Sequence, residues 1–271
     1  MWSVYKTTTV DNLPHTQRKP HVTLITYRGG RNMWLLFLLS CRLFYYGDEE
    51  VSQIEVTKVV NSWNIGIHRS HASVIKILIM SEDGPVGHGS GNLFHYNNQL
   101  FVITASHVVN SNLSFLIQER NGNLISCTNI YNDTGNDIAV LKPYGKFEVT
   151  KASPYLINMT KDIVASELYY SGSPGDLNFM SLRGWTADSD HEDVIMQSFG
   201  WPGSSGSVVF DNAGRVVGVV TAIPLVPNFY EGTMMPMSQI VMVSRLQVLP
   251  RKTIREALMH EKERIKNRNS D

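Results

Sequence analysis

Two cysteines are too few to organise a chain of 271 residues through disulfides. Nothing in the sequence places Cys41 next to Cys127. Secreted domains often rely on several disulfides, so we expect a protein that does not need an oxidising compartment. The expected location is cytoplasmic or membrane-associated, and export is the less favoured alternative.

An excess of charge of one sign is also lacking. The chain carries 24 Lys and Arg residues against 24 Asp and Glu residues. Proteins that bind nucleic acids or anionic membrane surfaces usually carry a basic excess. We therefore expect no nucleic-acid partner and no electrostatic attraction to a membrane.

A complete set of metal ligands is not recognisable in the sequence. His68 and His71 are separated by two residues, and His88 and His95 follow, but no cysteine or acidic pattern completes a ligand set. Such gaps between histidines arise often by chance. We expect neither a metal ion nor a cofactor.

The longest apolar segment, residues 33–46, is too short to cross a bilayer, and Arg42 interrupts it. Its length suits the core of a signal peptide, and Arg28 and Arg31 precede it, but it lies far from Met1. We favour a buried strand or a helix packed on the domain. Membrane association through this segment stays open. Residues 1–60 as a whole are predicted to form an N-terminal extension.

From Ala72 onward the chain consists of short β-type runs separated by turn residues such as Asn121-Gly122. The predicted strands include residues 73–80, 91–95, 100–104, 114–118, 137–141, 208–210 and 215–222. Many short strands with regular turns predict an all-β protein, built as a sandwich or barrel of antiparallel strands. Residues 142–161 are the predicted crossover between two lobes, and Lys252–Lys266 predicts a helix near the C-terminus.

A serine lies between glycines at residues 203–206, just before the apolar run Val208–Phe210. A tight Gly-x-Ser-Gly turn can expose the hydroxyl of Ser205 and direct the N–H groups of Gly203 and Ser205 at one point. This is the geometry of a nucleophile beside an oxyanion hole. The alternative is an ordinary turn between two strands.

A histidine and an acid accompany the other two apolar strands. His107 follows Leu100–Thr104, and a histidine there can accept and return one proton near neutral pH. Asp137 stands at the head of the run Ile138–Leu141, and Asp133 in the same loop is the reserve candidate. The alternatives are a structural histidine and a turn aspartate. The order His107, Asp137, Ser205 is that of the chymotrypsin-type catalytic triad.

At these segments the chain resembles the trypsin-like serine proteases. The three matching stretches are Thr104-Ala105-Ser106-His107-Val108-Val109, Asp137-Ile138-Ala139-Val140-Leu141 and Gly203-Ser204-Ser205-Gly206-Ser207. The resemblance implies two packed six-stranded antiparallel β-barrels, with the catalytic residues in the cleft between them. The implied organisation is an extension at 1–60, barrels at 61–152 and 153–249, and a helix and tail at 250–271.

Within that group, Gly89-Ser90-Gly91-Asn92-Leu93 resembles the strand preceding the histidine in HtrA-type enzymes, and Gly172-Ser173-Pro174-Gly175 resembles another of their segments. Small proteases of RNA viruses share the same signatures. Ser204 replaces the aspartate of zymogen-type members, so activation through that salt bridge is not expected. Too few residues follow Leu249 for the PDZ domain of HtrA proteins, which favours a viral polyprotein protease or a stand-alone protease.

The resemblance implies a serine endopeptidase acting on polypeptides, with its own chain as one candidate substrate. The alternative is a trypsin-fold binding module without activity. An α/β-hydrolase is disfavoured because it needs the order Ser, Asp, His.

The resemblance to trypsin-like serine proteases also implies where the substrate pocket lies. It places Phe199 near the floor of the pocket and Thr221 and Ala222 along its wall. An uncharged floor favours a small or apolar residue before the cleaved bond.

Overall fold

The computed structural model of this protein describes residues 65–110, 113–175, 177–227 and 233–268. The predicted all-β architecture, with two six-stranded antiparallel barrels and a helix near the C-terminus, is confirmed. The predicted extension at 1–60, including the apolar segment 33–46, lies outside the described residues.

The first barrel contains six strands that pair in the order β1-β4-β5-β6-β3-β2, and pairing of β1 with β2 closes it. A short strand, β7, adds to β2 in parallel. The bounds are β1 Val74–Ser81, β2 Gly84–Tyr96, β3 Gln99–Thr104, β4 Ser114–Gln118, β5 Leu124–Asp133, β6 Ile138–Tyr144 and β7 Ser153–Pro154. The predicted domain boundary at 152/153 therefore falls directly before β7.

The second barrel closes in the order β10-β15-β12-β11-β8-β9, and β13 and β14 form a separate hairpin. The bounds are β8 Glu167–Gly172, β9 Met180–Ser189, β10 Asp193–Gln197, β11 Val208–Asp211, β12 Val216–Ala222, β13 Leu225–Pro227, β14 Met234–Pro236 and β15 Ile240–Arg245. Buried and more exposed residues alternate along β10, whereas all four residues of β11 are buried.

Three α-helices accompany the barrels in the described part of the chain: α1 Ile65–Ser73, α2 Ser106–Val109 and α3 Arg251–Arg268. A short 3-10 helix, Leu246–Val248, precedes α3. The predicted helix at 252–266 is confirmed as α3, whose Ile254 and Leu258 are buried. Helix α1 was not predicted from the sequence. It hydrogen-bonds to the second barrel through Arg69 and Ser70. None of these helices is long and apolar enough to cross a membrane.

An aromatic cluster joins the two barrels behind the candidate site. Phe94 on β2 stacks on Phe101 of β3 and on Phe210 of β11, with ring centroids 5.9 and 6.0 Å apart. Tyr155 meets the edges of the first two rings, and its hydroxyl donates to the carbonyl of Leu249. Because Phe210 belongs to the second barrel, burying this cluster also fixes where β11 lies against the first barrel.

Glu119 is a buried carboxylate that binds the backbone of residues 148–150. It accepts hydrogen bonds from the backbone N–H groups of Glu148, Val149 and Thr150 and from the amide of Asn123. Burial alone would raise the pKa of Glu119, but these hydrogen bonds to its charged form lower the pKa to about 2.

The Glu119→Gln variant should lose about 2–3 kcal/mol of unfolding free energy at neutral pH, because an amide cannot accept all of these bonds. The native pKa is depressed, so the stabilisation by Glu119 is complete above the unfolded pKa near 4.5 and declines as the pH falls toward 2. Urea unfolding of both proteins at several pH values checks this. A difference in stability between them that does not shrink over that window would contradict it.

Candidate active site

His107 lies on the one-turn helix α2, immediately after strand β3 ends at Thr104. The chain turns at Ala105, which has extended backbone angles and is buried. This turn brings the imidazole out of the barrel core, and its side chain is 49% exposed. The imidazole of His107 therefore lies at the surface of the first barrel.

Asp137 holds His107 through two contacts and the preceding residue through a third. Its Oδ2 lies 2.7 Å from Nδ1 of the imidazole, and its Oδ1 accepts the backbone N–H of His107 at 2.9 Å. Its carbonyl oxygen accepts the N–H of Ser106 at 3.1 Å. Asp137 has a φ of 52°, a left-handed conformation that aspartate tolerates better than most residues. The carboxylate thus fixes both the position and the rotation of the imidazole.

The contact with Asp137 also decides which ring nitrogen can act as a base. A carboxylate only accepts hydrogen bonds, so in the neutral ring Nδ1 carries the proton. Nε2 then has a free lone pair on the side away from Asp137. This is the tautomer that a general base requires.

Asp133, the reserve candidate for the acid, has a different role. Its Oδ1 accepts the backbone N–H groups of Gly135 and Asn136, and its Oδ2 accepts the side-chain amide of Asn136. The bond from the Asn136 side chain is the main cause that lowers the pKa of Asp133. Asp133 therefore shapes the turn that presents Asp137.

Ser205 lies in the loop that connects β10 to β11, and it is half-buried. The two other serines nearby, Ser204 and Ser207, have no exposed surface. Of these three hydroxyl-bearing residues, Ser205 is the one that solvent or a substrate can reach.

The first barrel supports the Ser205 loop directly. The backbone N–H of Ser90 on β2 donates to the carbonyl of Ser205 at 2.8 Å. Gly206 has a φ of +89°, and a methyl group on it would collide with Ser90 and Thr104. The loop thus packs against the end of β3, two residues before α2 begins. Within the described residues, no hydrogen bond joins the imidazole to the Ser205 hydroxyl; such bonds are often long without substrate.

Two backbone N–H groups of the loop are oriented by hydrogen bonds to the carbonyl groups of the same peptide planes. In a trans peptide the C=O and N–H point in opposite directions. The carbonyl of Pro202 accepts from the N–H of Gly175 at 2.7 Å, so the N–H of Gly203 points away from Gly175. The carbonyl of Ser204 accepts from Ser207 at 3.0 Å, which turns the N–H of Ser205 in the same way.

Neither of these two N–H groups donates to a backbone acceptor within the described residues. Gly203 has a φ of +99°, and a methyl group on it would lie 2.6 Å from Nε2 of His88 and would collide with the Ser173 carbonyl. Only glycine fits this position. Both donors are fixed before any ligand arrives, which suits an oxyanion hole.

The residues predicted for the substrate pocket lie on two adjacent segments. Phe199 is 39% exposed, and the N–H of Gly200 donates to Ser238 at 2.7 Å. Ile223 packs against Gly200, which brings the segment of Thr221 and Ala222 beside Phe199. Backbone hydrogen bonds join Val220 to Gly206 and Ser207, so this second segment continues directly from the Ser205 loop.

The histidines considered as metal ligands make protein contacts instead. His71 bonds to Ser181 and Arg120, His88 to the carbonyl of Ser173, and His95 to the carbonyl of Ala152. Among the described residues, no group of three metal-ligating side chains occurs.

Sequence reasoning assigned no role to three polar side chains of β2 that contact the second barrel: His88, Ser90 and Asn92. The sequence does contain one signal for such a role, since these polar residues occupy every second position just before the apolar pair Leu93-Phe94. Residues at alternate strand positions share one face.

Comparisons with known proteins agree with this architecture. The model of the trypsin-like peptidase domain matches residues 89–219, a range that contains His107, Asp137 and Ser205. A comparison with curated proteins finds no match.

Two solved structures share the fold. A serine endoprotease from Yersinia pestis is 18% identical, with a TM-score of 0.55; the match covers 73% of this chain and 66% of that protein. A protease from M. tuberculosis in its active form is 17% identical, with a TM-score of 0.54; the match covers 68% of this chain and 80% of that one. The domain match and the two barrels together show that this chain has the fold of the trypsin-like serine proteases.

Proposed function

We propose that this protein is a serine endopeptidase that cleaves polypeptides through His107, Asp137 and Ser205. The observation that carries the proposal is the 2.7 Å contact between His107 and Asp137, beside a loop that presents an accessible serine and two oriented N–H groups. The trypsin-like peptidase domain supports the same reaction.

In this reaction the Oγ of Ser205 attacks the substrate carbonyl while Nε2 of His107 accepts its proton. The imidazolium is stabilised by the carboxylate of Asp137 and then donates the proton to the leaving amine. Water hydrolyses the resulting acyl-enzyme by the same proton transfers in the next half-reaction. Asp137 keeps the imidazole in the productive tautomer throughout.

The negative charge of the tetrahedral intermediate develops on the former carbonyl oxygen. The N–H groups of Gly203 and Ser205 donate to this oxygen. Donors that are already oriented lose no free energy to reorganisation at the moment of reaction, and one such donor contributes about 10²–10³ in turnover.

Replacing Ser205 with alanine should lower turnover by more than about 10³-fold, because the nucleophile is lost while the fold is kept. Hydrolysis of a denatured protein substrate and labelling by a fluorophosphonate probe measure this. Mass analysis of the intact chain and of the variant reports cleavage of the protein by itself. Ser153→Ala is the matched control, since it removes a buried hydroxyl for which the described part of the chain offers no hydrogen-bond partner.

Undiminished cleavage by Ser205→Ala would overturn the assignment. A folded wild-type protein that neither cleaves nor reacts with the probe would support the alternative of a trypsin-fold binding module.

The Asp137→Asn variant should lose about 10⁴-fold in kcat, because an amide can donate to Nδ1 and thereby favour the wrong tautomer of His107. Peptide hydrolysis measured from pH 6 to pH 10 tests this. The Asp133→Asn variant serves as the comparison, since Asp133 supports the turn and does not contact the imidazole. Equal losses in the two variants would contradict a direct role for Asp137.

An uncharged aromatic side chain at position 199 favours a small or apolar residue before the cleaved bond. A panel of chromogenic peptides that vary at this position tests the preference. The Phe199→Asp variant should shift the preference toward Lys and Arg, while Phe199→Asn should not, because only the aspartate adds charge. A wild-type preference for Arg would refute this assignment of the pocket.

A further inference from the structure

Three side chains on strand β2 of the first barrel contact the nucleophile loop of the second barrel or the segment that supports it. His88, Ser90 and Asn92 alternate along the strand and therefore project from the same face. Ser90 and Asn92 are fully buried. We call these three residues the polar row. Buried polar side chains are stable only if their hydrogen bonds are satisfied, and each member of the row bonds to a backbone group.

Ser90 contacts the loop at two points. Its N–H donates to the carbonyl of Ser205 at 2.8 Å, and its hydroxyl donates to the carbonyl of Gly203 at 2.7 Å. The same hydroxyl accepts the N–H of Ser173 at 2.8 Å. One serine thus joins the middle and the start of the loop to the segment 173–175, which itself orients the peptide before Gly203.

His88 completes the support of that segment. Its Nε2 lies 2.9 Å from the carbonyl of Ser173, and a carbonyl can only accept, so Nε2 carries a proton. With Ser173 held at both its N–H and its C=O, Gly175 is positioned to donate to Pro202. That bond sets the direction of the Gly203 N–H.

Asn92 holds the other end of the loop. Its side-chain oxygen accepts the N–H of Val208 at 2.9 Å, where β11 begins. Its amide nitrogen donates to the carbonyl of Ser70 and the hydroxyl of Ser73 on α1. The loop is therefore fixed by β2 at its start, its middle and its end.

We infer that this polar row sets the catalytic conformation of the nucleophile loop, and that Ser90 and His88 are positioning residues of the oxyanion hole. The inference rests on the proposed function. Neither side chain needs to touch the substrate, because both act through the peptide planes of residues 202–205. Loss of either should weaken stabilisation of the transition state more than binding of the substrate.

The test compares Ser90→Ala with Ser153→Ala, which removes a buried serine hydroxyl that has no hydrogen-bond partner among the described residues. For Ser90→Ala we expect a fall in kcat of about tenfold or more, and a KM within about twofold of the wild type. The inhibition constant of a peptide aldehyde, whose adduct with Ser205 resembles the tetrahedral intermediate, should rise in proportion to the loss in kcat/KM. Ser153→Ala should change none of these values.

A second pair of variants separates hydrogen bonding from packing at His88. Gln can donate from its side-chain nitrogen to the carbonyl of Ser173, whereas Leu cannot. The His88→Leu variant should lose kcat, and His88→Gln should recover most of it. Equal losses in both variants would show that shape alone matters at this position.

Hydrogen exchange of the peptide that spans residues 202–208 measures the conformation of the loop independently of activity. Ser90→Ala should speed this exchange, and Ser153→Ala should not. Unchanged exchange, or an unchanged kcat in Ser90→Ala, would overturn the positioning role. The Ser205→Ala variant distinguishes failure of the proposed function from failure of the positioning role. If Ser205→Ala retains activity, the proposed function is wrong, whatever the result for Ser90→Ala.

Discussion

The candidate site depends on how one barrel docks against a loop of the other. His107 and Asp137 belong to the first barrel, whereas Ser205 and the oriented N–H groups belong to the second. Burial of Phe94 and Phe210 at the junction contributes about 2–3 kcal/mol for each side chain, and each hydrogen bond from β2 contributes about 1 kcal/mol. The apolar cluster and the hydrogen bonds from β2 therefore contribute comparable amounts to the association of the barrels, and the directional bonds of Ser90 and Asn92 set the register.

Much of the fold could be predicted because its signals are local. Apolar runs such as Leu100–Thr104 and Ile138–Leu141 predict buried strands, and the amphipathic pattern predicts α3. Strand β2 is longer than predicted because its first half, with Gly84, Pro85 and Gly87, lacks strand-forming residues and depends on pairing with β1. Helix α1 has no clear pattern either, and its contacts with the second barrel come from distant residues.

Some residues of the candidate site could likewise be predicted from local motifs, and others could not. The motifs around His107, Asp137 and Ser205 indicated which residue types could act together, and the structure shows the contact between the first two. The role of the β2 row could not be predicted, because the partners of His88, Ser90 and Asn92 in the second barrel lie 83 to 116 residues further along the chain. No local sequence pattern encodes a bond to a distant backbone group.

The division of the site between two barrels has a consequence for synthesis on the ribosome. Domains generally fold as the chain emerges, from the N-terminus onward. The first barrel can pair His107 with Asp137 once β6 is complete, but Ser205 and its loop emerge later and need the support of β2. Under the proposed function, a nascent chain at this stage would carry His107 and Asp137 without Ser205, so peptide cleavage could begin only after the second barrel has been translated.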